Sequence, residues 1–407
     1  MYIRAIRVIR VLLPFFVIAV IGLERLAMSF LQTIRFWEVC GSLAVAAAAC
    51  AVLGSFLVLR RMALLTDAIG HVLLLGIVLA FLITHDLKSP LLMLGAATTG
   101  LITVALVEAV SKSRFVKEDA AIGLVFPALF ALGVILATYH ARNTHLDVDR
   151  VLLGSPEMAP LNRASIGLYD LGPLSLLVMS GMFLANAAFV LVLFKELKLS
   201  SFDTGLAFTL GFAPTLLHYS LMGLVSLTAV TAFDAVGPVL VVAFFVVPPA
   251  SAYLLTDRLS VMVPLGVGIG VTAAVAGTVL ANVLNVTIAG TVAVFMGATF
   301  ATVLIASPRH GLIRMAMHRV RQRRNFFETM LAIHLYQHEG TPEEEKESRL
   351  DTLHEHVNWK QRDTLAVARR IVARGWANQE LDRLRLTPPG RMEALAAIGP
   401  TNPQSVI

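Results

Sequence analysis

The chain predicts an all-α polytopic membrane protein of about ten transmembrane helices, followed by a separate C-terminal domain. Three observations carry that prediction. Of 407 residues, 57% are hydrophobic and only 15% are charged, against roughly a quarter charged in a soluble domain. Apolar stretches of about 20 residues recur as far as residue 306, each long enough to cross a ~30 Å hydrocarbon core as a helix. The net charge of +6 is spread unevenly. Residues 308–407 carry 16 Lys and Arg against 12 Asp and Glu, whereas the first 307 carry 17 against 15. Together these exclude a simple soluble globular protein.

The elements follow in order. A basic start (Arg4, Arg7, Arg10) leads into apolar sequence without a cleavage pattern, so it reads as a first span rather than a removable leader. Spans are predicted at roughly 11–31, 39–59, 63–84, 90–110, 120–138, 173–194, 205–230, 234–254, 261–282 and 288–306. Loop charge gives the orientation. With the N-terminus in the cytoplasm, that side also receives Arg60 and Arg61, Lys112, Arg114 and Lys117, Lys195 and Lys198, Arg258 and Arg309. The opposite side receives His85, Asp86 and Lys88 and the loop 139–172, which is poorer in positive charge. This is the positive-inside pattern. An even count puts both termini in the cytoplasm. Cys40 and Cys50 share one apolar stretch; ten helical residues rise ~15 Å, too far for a disulfide, so they read as packing residues. The loop 139–172 holds His140, His145, Asp147 and Asp149. A polar outer loop accounts for them better than metal ligation by His145 and Asp147, and Val151–Gly154 has the apolar character to dip back toward the membrane.

Polar groups at membrane depth narrow the chemistry. Asp67 and His71 lie four residues apart in a segment otherwise fit for hydrocarbon, so a helix presents both on one face. Ionisable groups there cost several kcal/mol unless they meet a partner, a cavity or an ion. A carboxylate and an imidazole together offer half a coordination shell for a divalent transition metal. His218 and Asp234 are further intramembrane polar groups and weaker ligand candidates; a lone histidine is more often hydrogen-bonded packing. The run Phe233–Ala250 carries Gly237, Pro238, Pro248 and Pro249 inside apolar sequence. Such residues are tolerated where neighbours or water satisfy the freed backbone, often beside a translocation path. Between two spans, Phe194–Ala207 mixes charge with apolar residues, including Lys195, Glu196, Phe202 and Asp203. It has the form of a small surface helix able to dock a soluble partner.

After Ser307-Pro-Arg-His-Gly311 the membrane pattern stops. Residues 312–340 read as a basic amphipathic helix, with 312–325 its linker part and 326–407 a separate domain. Thr341-Pro342 opens the acidic stretch Glu343–Glu347. A helical pattern from about 348 ends at Gly375, Trp376–Leu386 suits a short hairpin, and Thr387-Pro-Pro-Gly starts a capped helix.

These motifs resemble the membrane subunit of zinc/manganese/iron-uptake ABC transporters, over about residues 29–312. Asp67-Ala-Ile-Gly-His71, after Leu59-Arg-Arg-Met-Ala-Leu64, is similar to that family's D-A-I-S-H signature. Glu118–Gly123, Lys195–Lys198 with Phe202-Asp203, Val236–Ala250, Leu254–Arg258 and Ser307–Gly311 complete the likeness. The resemblance implies a permease of the bacterial inner membrane that works with a second copy or paralogue. It also implies a cytoplasmic ABC ATPase docking on Lys195, Glu196, Phe202 and Asp203, and an extracellular metal-binding protein. Asp67 and His71 would then line the path of a transported divalent metal, Mn2+ or Fe2+ before Zn2+, with no permanently bound cofactor. No Walker A loop is present, so the chain itself is expected not to be an enzyme. Two departures stand out: Gly70 where the family has serine or alanine, and Leu75 where it has proline, which implies a straighter helix. Residues 326–398 resemble a winged helix-turn-helix of the iron-dependent-repressor type. Lys360, Arg362, Arg369, Arg370 and Arg374 offer charge for nucleic acid. Membrane tethering and Glu343–Glu347 favour docking or regulation instead. His354 and His356 read as surface histidines before metal sensors. The rival readings are a membrane-anchored metal-responsive DNA-binding regulator and an ion-driven secondary transporter.

Overall fold

A computed structural model describes residues 34–86, 89, 91–113, 115–140, 156–157, 162–166, 169–307 and 311–398. The expected span 11–31, the loop residues His145 and Asp147, and Val151–Gly154 lie outside them. Among the described residues, nine helices are long and apolar enough to cross a membrane. They are α1 (Ile34–Leu59), α2 (Leu64–Thr84), α3 (Leu91–Lys112), α4 (Glu118–His140), α5 (Leu174–Val192), α8 (Pro214–Val236), α9 (Pro238–Leu255), α10 (Leu259–Leu284) and α11 (Ile288–Ala306). Two short helices, α6 (Phe194–Phe202) and α7 (Thr204–Thr209), separate α5 from α8. The chain divides into two compact units, Met1–Gly311 and Leu312–Ile407.

In the first unit α1 is the hub, packed against α5, α8, α9 and α10. Its run Ala46–Ala51 is buried, with Leu43, Leu53 and Phe56 around it. Hydrocarbon is as apolar as leucine, so burial drives little association within a bilayer. Small residues that let backbones approach, and polar groups that bond across helices, contribute instead. Asn186 of α5 is such a group: fully buried, it donates to the Ala49 carbonyl at 3.2 Å and to Thr228 Oγ1 at 2.9 Å, joining α1, α5 and α8. Gly54 is the close-approach case. A Cβ there would overlap the Phe245 carbonyl oxygen of α9, against which α1 lies. Cys40 and Cys50 are free and buried, as packing residues are.

Two expected boundaries are corrected. The stretch 205–230 is not one span. It opens as α7, turns at Gly211 (φ +84°), and only from Pro214 becomes the long helix α8. Pro214 at the first helical position explains the start, because its missing N–H has no intrahelical partner to lose. Asp234 does not begin the following span but lies in the last turn of α8. The break falls at Gly237, whose φ of +87° suits glycine. The chain is also not wholly helical. Among the described residues of the expected outer loop, β1 (Arg163–Ile166) pairs antiparallel with β2 (Tyr169–Pro173). Arg163 makes a bidentate pair with Glu38 of α1, at 3.0 and 3.1 Å.

The second unit is mainly helical with one two-stranded hairpin. Helix α12 (Leu312–His338) runs without a break through the expected 325/326 boundary. Short α13 (Glu344–Glu347) and α14 (Leu353–His356) lead to α15 (Gln361–Ala373). Gly375, with φ +73°, turns the chain into β3 (Ala377–Glu380) and β4 (Arg383–Leu386), and α16 (Pro388–Ile398) follows. Thr387 Oγ1 accepts from the Gly390 N–H at 3.3 Å, the expected cap. The core is Leu331, Leu335, Leu353, Val367, Ile371 and Leu384, with Leu386 at its edge. Glu328, 1% exposed, pairs with Arg370 Nε at 3.2 Å and Arg374 Nη1 at 3.0 Å, stitching α12 to α15.

Candidate functional site

The opening turns of α2 hold the polar pair. Thr66, Ala68, Ile69, Gly70 and Val72–Leu75 are buried, whereas the side chains of Asp67 and His71 are 48% and 45% exposed within the single chain. The helical period places both on the least covered stripe of α2. His71 Nε2 lies 3.5 Å from Asp67 Oδ1. Two ligands of one ion with bonds of ~2.0–2.1 Å and tetrahedral angles stand roughly 3.3 Å apart, so the spacing suits joint coordination. The imidazole is oriented by α4: Phe126 stacks on it with ring centres 5.8 Å apart and an interplanar angle of 26°, and Phe130 meets it edge-on at 5.8 Å. Both rings come from α4, and Nε2 is the imidazole nitrogen paired with the carboxylate. No third His, Cys, Asp or Glu among the described residues completes a three-ligand group with the pair.

The departures from the family signature have structural counterparts. A Cβ at Gly70 would overlap the Phe233 ring of α8, so glycine is what lets that ring lie against α2. Leu75 leaves α2 without an interior proline, and its backbone packs against Gly133 of α4, where an added Cβ would come within 3.0 Å. Asp234 follows Phe233 directly and is exposed in the single chain.

His218 has other company. Its Nε2 lies 2.7 Å from Glu108 Oε1 of α3, and its Nδ1 lies 3.2 Å from Arg60 Nη1. Glu108 also accepts from Tyr219 Oη at 2.9 Å and from Lys112 Nζ at 2.9 Å. Arg60, in the turn between α1 and α2, further donates from Nε to Ser201 Oγ at 3.1 Å and from Nη2 to Ser200 Oγ at 3.3 Å. One guanidinium thereby joins the α1–α2 turn, α6 and α8, and His218 carries the link on to α3. Sequence reading missed this arrangement. Arg60 was legible only as loop charge and Glu108 was not singled out, and neither carries a spacing signal to residues more than a hundred positions away.

The segment containing Lys195, Glu196, Phe202 and Asp203 is helical, as α6 and α7. Lys195 is exposed, and Leu197 and Ser200 are buried against the rest of the unit. Asp203 separates the two helices and caps α7, its Oδ1 accepting from the Leu206 N–H at 2.8 Å. Phe202, Leu206, Phe208 and Leu210 are exposed, giving the segment an uncovered apolar surface beside its charges.

Long apolar helices around a central one, with an acid–imidazole pair in the opening turns of one span and a charged helical segment between spans, are the parts of a membrane transport subunit. Residues 33–307 match the ABC 3 transport family, and the chain belongs to it. It is 42% identical over 346 residues to the zinc transport system membrane protein TroD of Treponema pallidum (strain Nichols), covering 85% of this chain and 94% of TroD. It is 46% identical over 264 residues to the manganese transport system membrane protein MntD of Bacillus subtilis (strain 168), covering 65% of this chain and 89% of MntD. Among solved structures, PsaBC from Streptococcus pneumoniae in complex with Fab is similar, with a TM-score of 0.59 and 26% identity. That likeness covers 72% of this chain and 99% of that one.

Proposed function

We propose that this chain is the membrane permease subunit of an ATP-driven importer for a divalent transition metal, Mn2+ or Zn2+, and that Asp67 and His71 contact the ion in transit. The observation that carries the reading is the 3.5 Å pair on a half-exposed stripe of α2, in a family whose relatives above are named for zinc and manganese transport. Oxygen with imidazole nitrogen suits either metal. Iron, expected from the resemblance of the tail, stands behind these two because neither of those relatives is named for it.

Two protein ligands hold an ion loosely, as a transport site must. The remaining positions go to water or to a second permease copy facing the same stripe. A separate cytoplasmic ATPase docks on α6 and α7, with Lys195, Glu196 and Asp203 as polar contacts and Phe202 as the apolar one. Arg60 passes the movement of α6 to α3 and α8. A metal-binding protein delivers the ion from outside, and both termini face the cytoplasm. Asp234, next to the ring that covers Gly70, is a further contact for the ion, and His218 serves the Arg60 network instead.

The tail is a regulatory or docking domain of winged helix-turn-helix type. The order α14, α15 and the β3–β4 hairpin supports that reading, and Arg374 and Arg370 being spent on Glu328 favours docking over nucleic-acid binding.

The test is metal uptake by vesicles containing the permease, its ATPase and its binding protein, with Mn2+ or Zn2+ and with or without ATP. Asp67→Ala and His71→Ala lower ATP-dependent uptake at least tenfold while the complex still assembles. Wild-type uptake by both variants removes the site, and uptake independent of ATP removes the importer.

A further inference from the structure

We propose that His334, His338, Glu347 and His356 form a second divalent-metal site, within the C-terminal unit and separate from the Asp67–His71 pair. The proposal does not rest on the permease reading.

His334 and His338 lie one turn apart on α12, with ring centres 4.8 Å apart. Glu347 ends α13 and His356 ends α14. One ligand atom each from His334, His338 and Glu347 falls within 4.8 Å of the others, and among the described residues this is the one group of three His, Cys, Asp or Glu so disposed. Glu347 stands between the imidazoles. Its Oε2 is 3.3 Å from His334 Nε2, and its Oε1 is 3.0 Å from His356 Nδ1. His334 Nε2 is buried beside Glu347 and makes no well-aligned hydrogen bond to its carboxylate. A buried nitrogen so poorly matched gains from a better partner. Burial, aided by His338, holds the His334 imidazole below its ordinary pKa, against the opposing pull of Glu347. The neutral imidazole is the form that binds a metal. His338 and Glu347 line one small cleft, together with Glu344 and Arg385. Glu343 Oε2, 4.0 Å from His338 Nδ1, adds negative charge at the rim.

Two imidazoles and one carboxylate, with the His356 imidazole 3.0 Å from that carboxylate, define the ligand class. The set suits Zn2+, Co2+ or Ni2+, and it is a poor match for Mg2+ or Ca2+, which take oxygen shells. An ion there would tie α12 to the two short helices that connect it to α15. Binding to the folded form alone stabilises it by mass action.

The experiment uses the full chain in detergent, carrying Asp67→Ala and His71→Ala so that the first pair is silent. Co2+ is titrated by visible absorption and Zn2+ by calorimetry. The expected result is one ion per chain with the ligand-field bands of four-coordinate Co2+. Adding His334→Gln and His338→Gln weakens binding at least tenfold, and hydrogen exchange across 331–356 slows on adding Zn2+ only in the chain that retains these histidines. Absence of a bound ion in the silenced chain overturns the proposal, as does unchanged affinity after the histidine substitutions. Should those substitutions reduce helicity, Glu347→Gln and His356→Gln, each alone, decide the matter, and wild-type affinity in both overturns it.

Discussion

The ring of Phe233 lies against α2 at Gly70, in the space a side chain would need. His71 is the next residue along, and Asp234 the next after Phe233. The one-atom choice of glycine thus brings the end of α8 against the turn that bears the candidate ligands. Gly70→Ala forces the ring away, at a cost of about 1–3 kcal/mol as overpacking. Thermal unfolding in detergent should fall and metal uptake should drop. Phe233→Leu combined with Gly70→Ala should restore part of both. Equal uptake by Gly70→Ala and wild type would remove the link between the contact and the site.

Arg60 is the second lever. Lysine keeps the charge but cannot reproduce a planar fork reaching Ser200, Ser201 and His218 together. Arg60→Lys and Arg60→Ala should both leave ATP hydrolysis by the assembled complex largely intact and reduce transport several-fold. A constant ratio of ions moved to ATP hydrolysed would contradict this role.

On the α6–α7 segment, the effects of capping and of charge can be separated. Asp203→Asn keeps an N-cap acceptor for Leu206, whereas Asp203→Ala removes it, worth about 1 kcal/mol of local helix stability. Asp203→Lys and Glu196→Lys add reversed charge. If the ATPase binds here, the reversals weaken its association far more than Asp203→Asn does, read by co-purification across a salt series. Equal behaviour of all four variants would leave the segment without a docking role.

In the C-terminal unit, Glu328→Ala leaves Arg370 and Arg374 without their shared carboxylate. Breaking a buried pair costs about 3–5 kcal/mol, and the partial exposure of both arginines puts the expectation at the low end, about 3 kcal/mol. Limited proteolysis should then cut within 327–398 well before it cuts the wild-type tail. An unchanged digestion pattern would show that the pair adds little.

Local signals in the sequence were read well where one residue type has one dominant use. Apolar length located the helices α1–α5 and α9–α11 to within a few residues. The proximity of Asp67 and His71 was legible because their spacing is a helical turn. Glycine at 375 and threonine at 387 marked a helix end and a helix start. The stretch 205–230 was misread because α7 and α8 are both apolar, and hydropathy does not register the turn at Gly211. Partners distant in sequence were invisible for a different reason. Nothing around Arg60 encodes Ser200 or His218, and nothing around Glu347 encodes His334 and His356, because each meeting is made by packing rather than by local period.

Pro248 and Pro249 deprive α9 of two successive amide hydrogens, and with them the bonds that the carbonyls of Phe244 and Phe245 would have accepted. The oxygen of Phe245 is the one pressed toward Gly54, where Cα–H donors give weak compensation. Positions 54 and 249 therefore meet at one carbonyl: a methyl at 54 would press on the same oxygen that the missing amide at 249 leaves without a helical donor.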